Sequence, residues 1–103
     1  MVVHMPIGIL HLNLVPLTEA DVLNMALFCK TAKEWRTENP TLKGNMRDYA
    51  NINQLICLSN LENINALLIN EGMIQKDRLI KLNQIAIKQI TLLQNIQNRK
   101  LLK

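Results

Sequence analysis

Two groups of basic side chains are the clearest candidates for chemistry in this sequence. Lys30, Lys33 and Arg36 recur every three residues, so they lie near one another if the segment is helical. Such a cluster could contact phosphates at the start of a DNA-recognition helix. It could equally be an exposed basic face that pairs with Glu34 and Glu38. Both interpretations stay open from the residues alone.

The second group lies in the C-terminal part of the chain, where the charge is unevenly distributed. The 103 residues carry a formal net charge of +4, but residues 75–103 hold seven basic residues and a single acid, Asp77. Basic segments attract nucleic acids or acidic partners, although a lysine-rich helix face can also be simply solvated. The candidate nucleic-acid or partner contacts from both groups are Lys30, Lys33, Arg36, Lys81, Lys88, Arg99 and Lys100.

Residues suited to catalysis or metal binding are present but are not arranged for either task. His4 and His11 lack nearby carboxylates, and no histidine lies close in sequence to Cys29 or Cys57. Glycine-rich phosphate loops and metal-ligand spacings do not occur. The sequence therefore predicts a protein that is not an enzyme. It also predicts that the protein has no catalytic residues, no metal-binding residues and no cofactor. The two distant cysteines are expected to be buried free thiols, as in a cytoplasmic protein.

Capping patterns mark the helices that must position these side chains. Thr18 precedes a helix predicted over Glu19–Phe28, and a T-x-x-E capping box at Thr31 precedes a second over Ala32–Glu38. Nothing in the residues between them forbids a continuous helix. Trp35, the only tryptophan, is expected to be buried and to anchor the short helix onto longer ones.

Two long helices follow a loop whose turn is predicted at Gly44-Asn45. Asn51 caps a helix predicted over Ile52–Glu71, and Gly72 ends it in the left-handed conformation. A last helix runs from about Gln75 toward the C-terminus, and its part Gln75–Leu93 is expected to pack in the core. Their short connection makes them antiparallel neighbours. The apolar residues of the first long helix are spaced for burial on a broad face, namely Ile52, Leu55, Ile56, Leu58, Leu61, Ile64, Leu67 and Leu68.

These elements predict an all-α fold, a small helical bundle built on a long antiparallel helix pair with a short N-terminal extended segment. Residues 1–17 form the extended segment and residues 18–103 a single helical domain. The segment alternates apolar and polar residues around Leu12, as a strand does. It either pairs with its copy in a dimer or lies extended across the helices. It lacks the features of a signal peptide and is too short to span a membrane, so we expect a cytoplasmic protein.

Apolar residues exceed what one buried stripe of the last helix requires. Its main stripe comprises Leu79, Leu82, Ile85, Ala86, Ile90, Leu93 and Ile96, and further apolar residues widen it. Such a surplus indicates either a well-covered central helix or contact with another chain. We expect a homodimer, since symmetric dimers are the commonest assembly. The candidate self-association surface comprises Leu10, Leu12, Leu14, Ile87, Leu92 and Ile96.

Four motifs between Thr18 and Leu93 resemble one known family. They are EAD-x-LN-x-ALF-x-KTAKEWR-x-ENP, KGN-x-RDYA, NLE-x-x-NA-x-LI-x-E-G and RL-x-x-LNQIAI-x-Q. In this order they are similar to the C-terminal helical region of bacterial and phage KilA-N domain proteins. The KilA-N domain itself, the presumed DNA-binding part, lies upstream in that family and is expected to be absent here. Glycine is usual in the family at the position of Cys29, so cysteine here favours a bent or continuous helix over a sharp break.

The resemblance implies a phage or mobile-element origin more firmly than an activity. Our leading hypothesis is a non-enzymatic helical interaction module that self-associates and docks on a protein or ribonucleoprotein partner. The alternatives are a nucleic-acid-binding protein that uses the basic C-terminal helix, or a small phage inhibitor of a host RNA-guided nuclease. Weak nucleic-acid binding is compatible with each of these.

Overall fold

Four α-helices and one short 3₁₀ helix make up the described part of the protein. The computed structural model describes residues 16–101, with side chains through Arg99. In chain order the elements are α1 (Glu19–Phe28), α2 (Ala32–Glu38), the 3₁₀ helix (Met46–Tyr49), α3 (Ile52–Asn70) and α4 (Gln75–Leu101). Residues 16–101 contain no strand, so the predicted all-α fold is confirmed. The strand-like pattern around Leu12 lies outside the described residues.

Side-chain caps fix where the helices begin, as the sequence predicts. At the start of α2, the Glu34 N–H donates to Thr31 Oγ1 over 3.1 Å, and the Thr31 N–H donates to Glu34 Oε1 over 2.8 Å. Asn51 and Gln54 make the same exchange at the start of α3. Each exchange satisfies two backbone donors that a helix leaves free at its first turn.

The chain breaks sharply at Cys29, so the expected bent or continuous helix is wrong. Cys29 caps α1 with φ of 61° and ψ of 25°, in the left-handed region that costs a non-glycine residue about 1–2 kcal/mol. Its N–H donates to Met25 O over 3.1 Å, and the Ala32 N–H reaches back to Asp21 Oδ1 over 2.9 Å. Thr31 must be extended to cap α2, so the helix cannot continue through it.

The turn at Gly72 makes α3 and α4 an antiparallel pair. Gly72 has φ of 82°, and its N–H donates to Ile69 O over 2.9 Å. The Met73 N–H donates to Leu68 O over 3.0 Å, which completes a Schellman motif. The predicted left-handed stop at Gly72 and the predicted long antiparallel pair are confirmed.

The core forms where α1 packs across the α3–α4 pair. Six consecutive residues of α1, Val22–Leu27, are buried, so this short helix is covered on every side. The two long helices meet it with a stripe of mostly aliphatic side chains. Their buried apolar residues are Cys57, Leu58, Leu61, Leu68, Leu79, Leu82, Ala86 and Ile90.

The predicted broad apolar face of α3 is buried only in part. α1 has ten residues and is about 15 Å long, whereas α3 is about 28 Å long. A helix of that length can cover one side of the pair and leaves the other side open. Burial was therefore predicted wrongly for four aliphatic residues of α3 that are exposed, namely Ile52, Leu55, Ile56 and Leu67.

Trp35 is buried, as predicted, but its aromatic neighbour belongs to the 3₁₀ helix. The ring centroids of Trp35 and Tyr49 are 5.5 Å apart, and the Arg36 guanidinium lies 4.8 Å from the Trp35 ring centroid. The loop after α2 therefore folds back over the helix. Within residues 16–101, no helix is both long enough and apolar enough to cross a bilayer.

Two leucine truncations test these assignments of buried and exposed faces. Leu82 is fully buried, so Leu82→Ala should lower the free energy of unfolding by about 2–5 kcal/mol. Leu67 is 63% exposed, so Leu67→Ala should change it by no more than about 0.5 kcal/mol. Urea denaturation of the two variants measures both values. Equal losses for the two variants would contradict the placement of α3.

Candidate functional site

The exposed surface of α3 is almost without charge. Eleven of its 19 residues are exposed, and Glu62 is its only charged residue. Six exposed residues lie within an arc of about 80° around the helix axis, and the five that precede the last residue of the helix, Asn70, form what we call the α3 face. Glu62 lies about 120° from the centre of that arc. The α3 face consists of Ile52, Ile56, Asn60, Asn63 and Leu67.

Two amide pairs link α3 to α4 on the surface. Asn53 Nδ2 donates to Gln97 Oε1, and Asn60 Nδ2 donates to Gln89 Oε1, each over 3.2 Å. Both pairs are exposed, so their stabilising contribution is small and their main effect is on register. Four exposed aliphatic residues lie between the two pairs along the helices, namely Leu55, Ile56, Leu92 and Ile96.

The residues predicted for self-association are thus only partly brought together. Leu92 and Ile96 are exposed and lie between the two amide pairs that link α4 to α3, whereas Ile87 is half-buried and packs against the core. Leu10, Leu12 and Leu14 lie outside the described residues. The prediction overlooked α3, which exposes more aliphatic residues than α4 does among those described.

A row of three cations runs along the exposed side of α4. Lys81 and Arg99 are 18 residues apart, which is five whole turns, and Lys88 lies close to the same line. Along the helix axis, Lys81 and Lys88 are about 10.5 Å apart, and Lys88 and Arg99 are about 16.5 Å apart. Among residues 16–99, no acid forms a salt bridge with any of the three. Lys100 also belongs to α4, but its side chain is outside the described part.

The cluster predicted around α2 is used mainly within the protein. Lys30 lies before α2 rather than in it, and its Nζ is 2.9 Å from Glu38 Oε1. This pair agrees with the alternative of a salt-bridged surface. Lys33 is exposed. The Arg36 guanidinium organises the following loop by donating to the carbonyl oxygens of Asn39, Leu42 and Gly44.

The sequence interpretation missed a buried polar cluster around Arg78. This residue was counted only as a charge of the C-terminal part, yet it is 7% exposed. Its Nη1 and Nη2 donate to the two carboxylate oxygens of Glu19 over 2.6 and 3.1 Å, and Nη1 also donates to Asn65 Oδ1 over 2.8 Å. The signal was its position four residues before Leu82, on the buried stripe of α4.

The cluster shifts the acid–base equilibrium of Glu19. Hydrogen bonds from Arg78 hold the pKa of the Glu19 carboxyl below its usual value, because they stabilise the ionised form. Partial burial opposes this shift, and the amide of Asn65 adds to it by donating to Glu19 Oε1 over 2.9 Å. The cluster is therefore a structural ion pair that needs an ionised carboxylate.

The described residues offer little for small-molecule chemistry. Clefts of about 250 Å³ beside Trp35 and Tyr49 and of about 330 Å³ beside Lys33 and Glu38 lie at the small end of the range of ligand pockets, which is about 300–1,000 Å³. Burial raises the pKa of the Cys57 thiol to about 11, which makes it a poor nucleophile at neutral pH. Within residues 16–101, no three His, Cys, Asp or Glu residues are grouped so that they could hold a metal ion.

The Glu19–Arg78 pair predicts a specific acid sensitivity. Because the folded pKa of Glu19 lies below the unfolded value of about 4.3, its contribution is present above that pH and is lost as the pH falls through the folded pKa. In urea titrations between pH 6 and 3, the stability difference between wild type and Glu19→Gln should stay constant above about pH 5 and then shrink. A difference that does not change with pH would contradict the pairing.

Comparison of the chain with protein-family models, curated proteins and solved structures found no match. The resemblance to the KilA-N proteins therefore stays a prediction. An inference about function therefore rests on the exposed surfaces of α3 and α4.

Proposed function

We propose that this protein is a non-enzymatic interaction module that self-associates through the α3 face. The main support is the scarcity of charge in α3, which has 19 residues, eleven of them exposed. Its only charged residue is Glu62, which lies outside the α3 face. Helices at the surface of soluble proteins usually place charged residues on the side opposite the core. On α3 that side instead presents aliphatic residues separated by neutral amides.

This composition is typical of a surface that becomes covered. The core of a protein–protein interface is depleted in charged residues, because a charge buried there must be paired or pays a desolvation penalty. Asparagine side chains can exchange hydrogen bonds with water for hydrogen bonds with a partner. Leu67 and Ile56 gain on burial about 25 cal/mol for each Å² of apolar surface removed from water.

The neighbouring helix extends the apolar surface at one end. Leu92 and Ile96 adjoin Ile56 between the two surface amide pairs, so the α3 face continues onto α4 there. Towards the other end, Lys81 occupies the exposed side of α4. A partner therefore finds its widest apolar contact beside Ile56, where Leu92 and Ile96 lie between Lys88 and Arg99 along α4.

Charge substitutions on the α3 face test the proposal. Leu67→Glu and Ile56→Glu each place a carboxylate in the face, so each should weaken self-association at least tenfold, which is about 1.4 kcal/mol. Sedimentation equilibrium of the full chain up to about 200 µM measures the dissociation constant, in the concentration range of a weak interface.

Ile74→Glu is the matched control, because Ile74 is 64% exposed but lies in the connection between α3 and α4. It should leave the association unchanged. A wild-type protein that stays monomeric throughout the concentration range, or an association that all three variants retain, would overturn the proposal.

The cation row of α4 supports a second candidate function, the binding of nucleic acid. Lys81, Lys88 and Arg99 are exposed and aligned, and the sequence has no acid after Asp77. Three phosphate contacts would release counterions and give log K against log salt a slope of about −2.7 on duplex DNA. Affinity from so few contacts is low at physiological salt, so this function ranks second.

Neutralising two lysines tests the second candidate. Lys81→Gln with Lys88→Gln should lower the affinity for a labelled random duplex at least tenfold in low salt and reduce the salt slope by about 2. Lys43→Gln with Lys76→Gln removes the same charge from two exposed lysines outside the cation row and should change affinity less than about twofold. An equal loss of affinity in both double variants would show that binding depends only on the net charge of the protein. It would contradict the assignment of the binding site to the cation row of α4.

A further inference from the structure

The centre of the α3 face has an order of side chains that reads the same in both directions. Ile56, Asn60, Asn63 and Leu67 are spaced by four, three and four residues, so they fall within an arc of about 60° on one side of the helix. The order is aliphatic, amide, amide, aliphatic. Its midpoint lies between Leu61 and Glu62 along the helix.

From this order we infer that two copies pair through α3 in an antiparallel, two-fold symmetric dimer, an inference that rests on the proposed function. Ile56 then meets the partner's Leu67, and Asn60 meets the partner's Asn63. A two-fold interface requires each contact to occur twice with the roles exchanged. The four central residues of the α3 face meet this requirement because the two halves of their order are chemically equivalent.

The amides at the centre can satisfy each other across such an interface. Asn63 is exposed and has no hydrogen-bond partner among the described residues, so its donors and acceptor are available. Asn60 donates one N–H to Gln89, and its side-chain oxygen accepts no hydrogen bond from the described residues. Buried asparagine pairs are known to fix the register of packed helices, since a shifted register leaves them unpaired.

Charge favours a second copy meeting this chain at α3 rather than at α4. The formal net charge is +4, and the exposed side of α4 carries Lys81, Lys88 and Arg99. Two copies that met through α4 would set like charges against each other. The α3 face bears no charge. Antiparallel pairing also places the positive end of each helix dipole beside the negative end of the other.

The size of the surface makes the dimer weak and reversible. The four side chains span about 16.5 Å along the helix, and all of α3 spans about 28 Å. One pair of helices of this length buries less than the about 800 Å² per partner of a standard interface. We therefore expect dissociation in the micromolar range, with monomer and dimer in rapid exchange.

Cysteine cross-linking distinguishes the antiparallel register from all others. The variants Ile56→Cys and Leu67→Cys are made separately in a Cys29→Gly background, because glycine suits the positive φ at that position. Cys57 is fully buried with a raised pKa and can remain. An oxidant is added to each variant alone and to their equimolar mixture, and mass spectrometry identifies the disulfide-linked dimers.

Antiparallel pairing brings residue 56 of one copy to residue 67 of the other and keeps identical residues about 16.5 Å apart. The mixture should therefore form linked dimers at least about tenfold more than either variant alone, since Cα atoms more than about 7 Å apart cannot be bridged. Ile74→Cys mixed with Leu67→Cys is the control and should not cross-link. Circular dichroism confirms that each variant folds.

The alternative outcomes separate this inference from the proposed function. Cross-links within single variants that exceed those of the mixture would indicate a parallel pair and overturn the inference alone. Failure to cross-link in protein that sedimentation shows to be dimeric, with Leu67→Glu still abolishing the dimer, would also overturn the register alone. Wild-type protein that remains monomeric at about 200 µM, where a weak interface should form, would overturn both.

Discussion

The Arg78 guanidinium is held by acceptors from α1, α3 and the connection before α4. It pairs with Glu19 and donates from Nη1 to Asn65 Oδ1 over 2.8 Å. It also donates from Nε to Met73 O over 3.0 Å. A buried guanidinium left without acceptors would be strongly destabilising, so its burial demands that all three acceptors stay in place. This requirement fixes the position of α1 relative to the long pair. Beside it, Gln75 holds the backbone of Leu17 through both its amide atoms.

The position of α1 decides which side of the long pair stays open. A second buried contact, from Asn83 Nδ2 to Ala26 O over 2.8 Å, holds the other end of α1 against α4. With both ends fixed, α1 lies on one side of the pair and cannot move to the other. Helix α2, which carries Trp35, packs on the 3₁₀ helix. The exposed α3 face is therefore a consequence of the polar contacts that seat α1.

Helix positions could be predicted from the sequence because their signals are local. The capping boxes at Thr31 and Asn51, and the glycine at residue 72, act over three or four residues, and each was placed correctly. Cys29 was placed wrongly because no local signal requires its left-handed conformation. That conformation is imposed by the Thr31 cap and by a hydrogen bond from Ala32 to Asp21, eleven residues earlier in the chain.

Burial was less predictable than helix position, because apolar spacing does not tell how many sides of a helix are covered. Leu58 and Leu67 look equivalent in the sequence, yet only Leu58 faces α1 or α4. Arg78 shows the opposite error. It was counted only among the charges of the C-terminal part, yet it lies on the buried stripe of α4. The useful sequence signal was the scarcity of charge in α3. A helix with one charge in 19 residues cannot have an ordinary solvated side, whichever of its residues the core takes.

The distribution of charge between the two long helices separates their possible contacts. α4 concentrates exposed cations on one line, which opposes self-association there and favours anionic partners. α3 carries almost none, which permits a second copy to approach. Because α3 and α4 are packed together through the shared core, the exposed surface of one helix has a set direction relative to that of the other. A dimer formed through α3 would therefore hold two cation rows in a fixed geometry. Paired rows bind an extended polyanion more tightly than one row does, because the second contact becomes intramolecular.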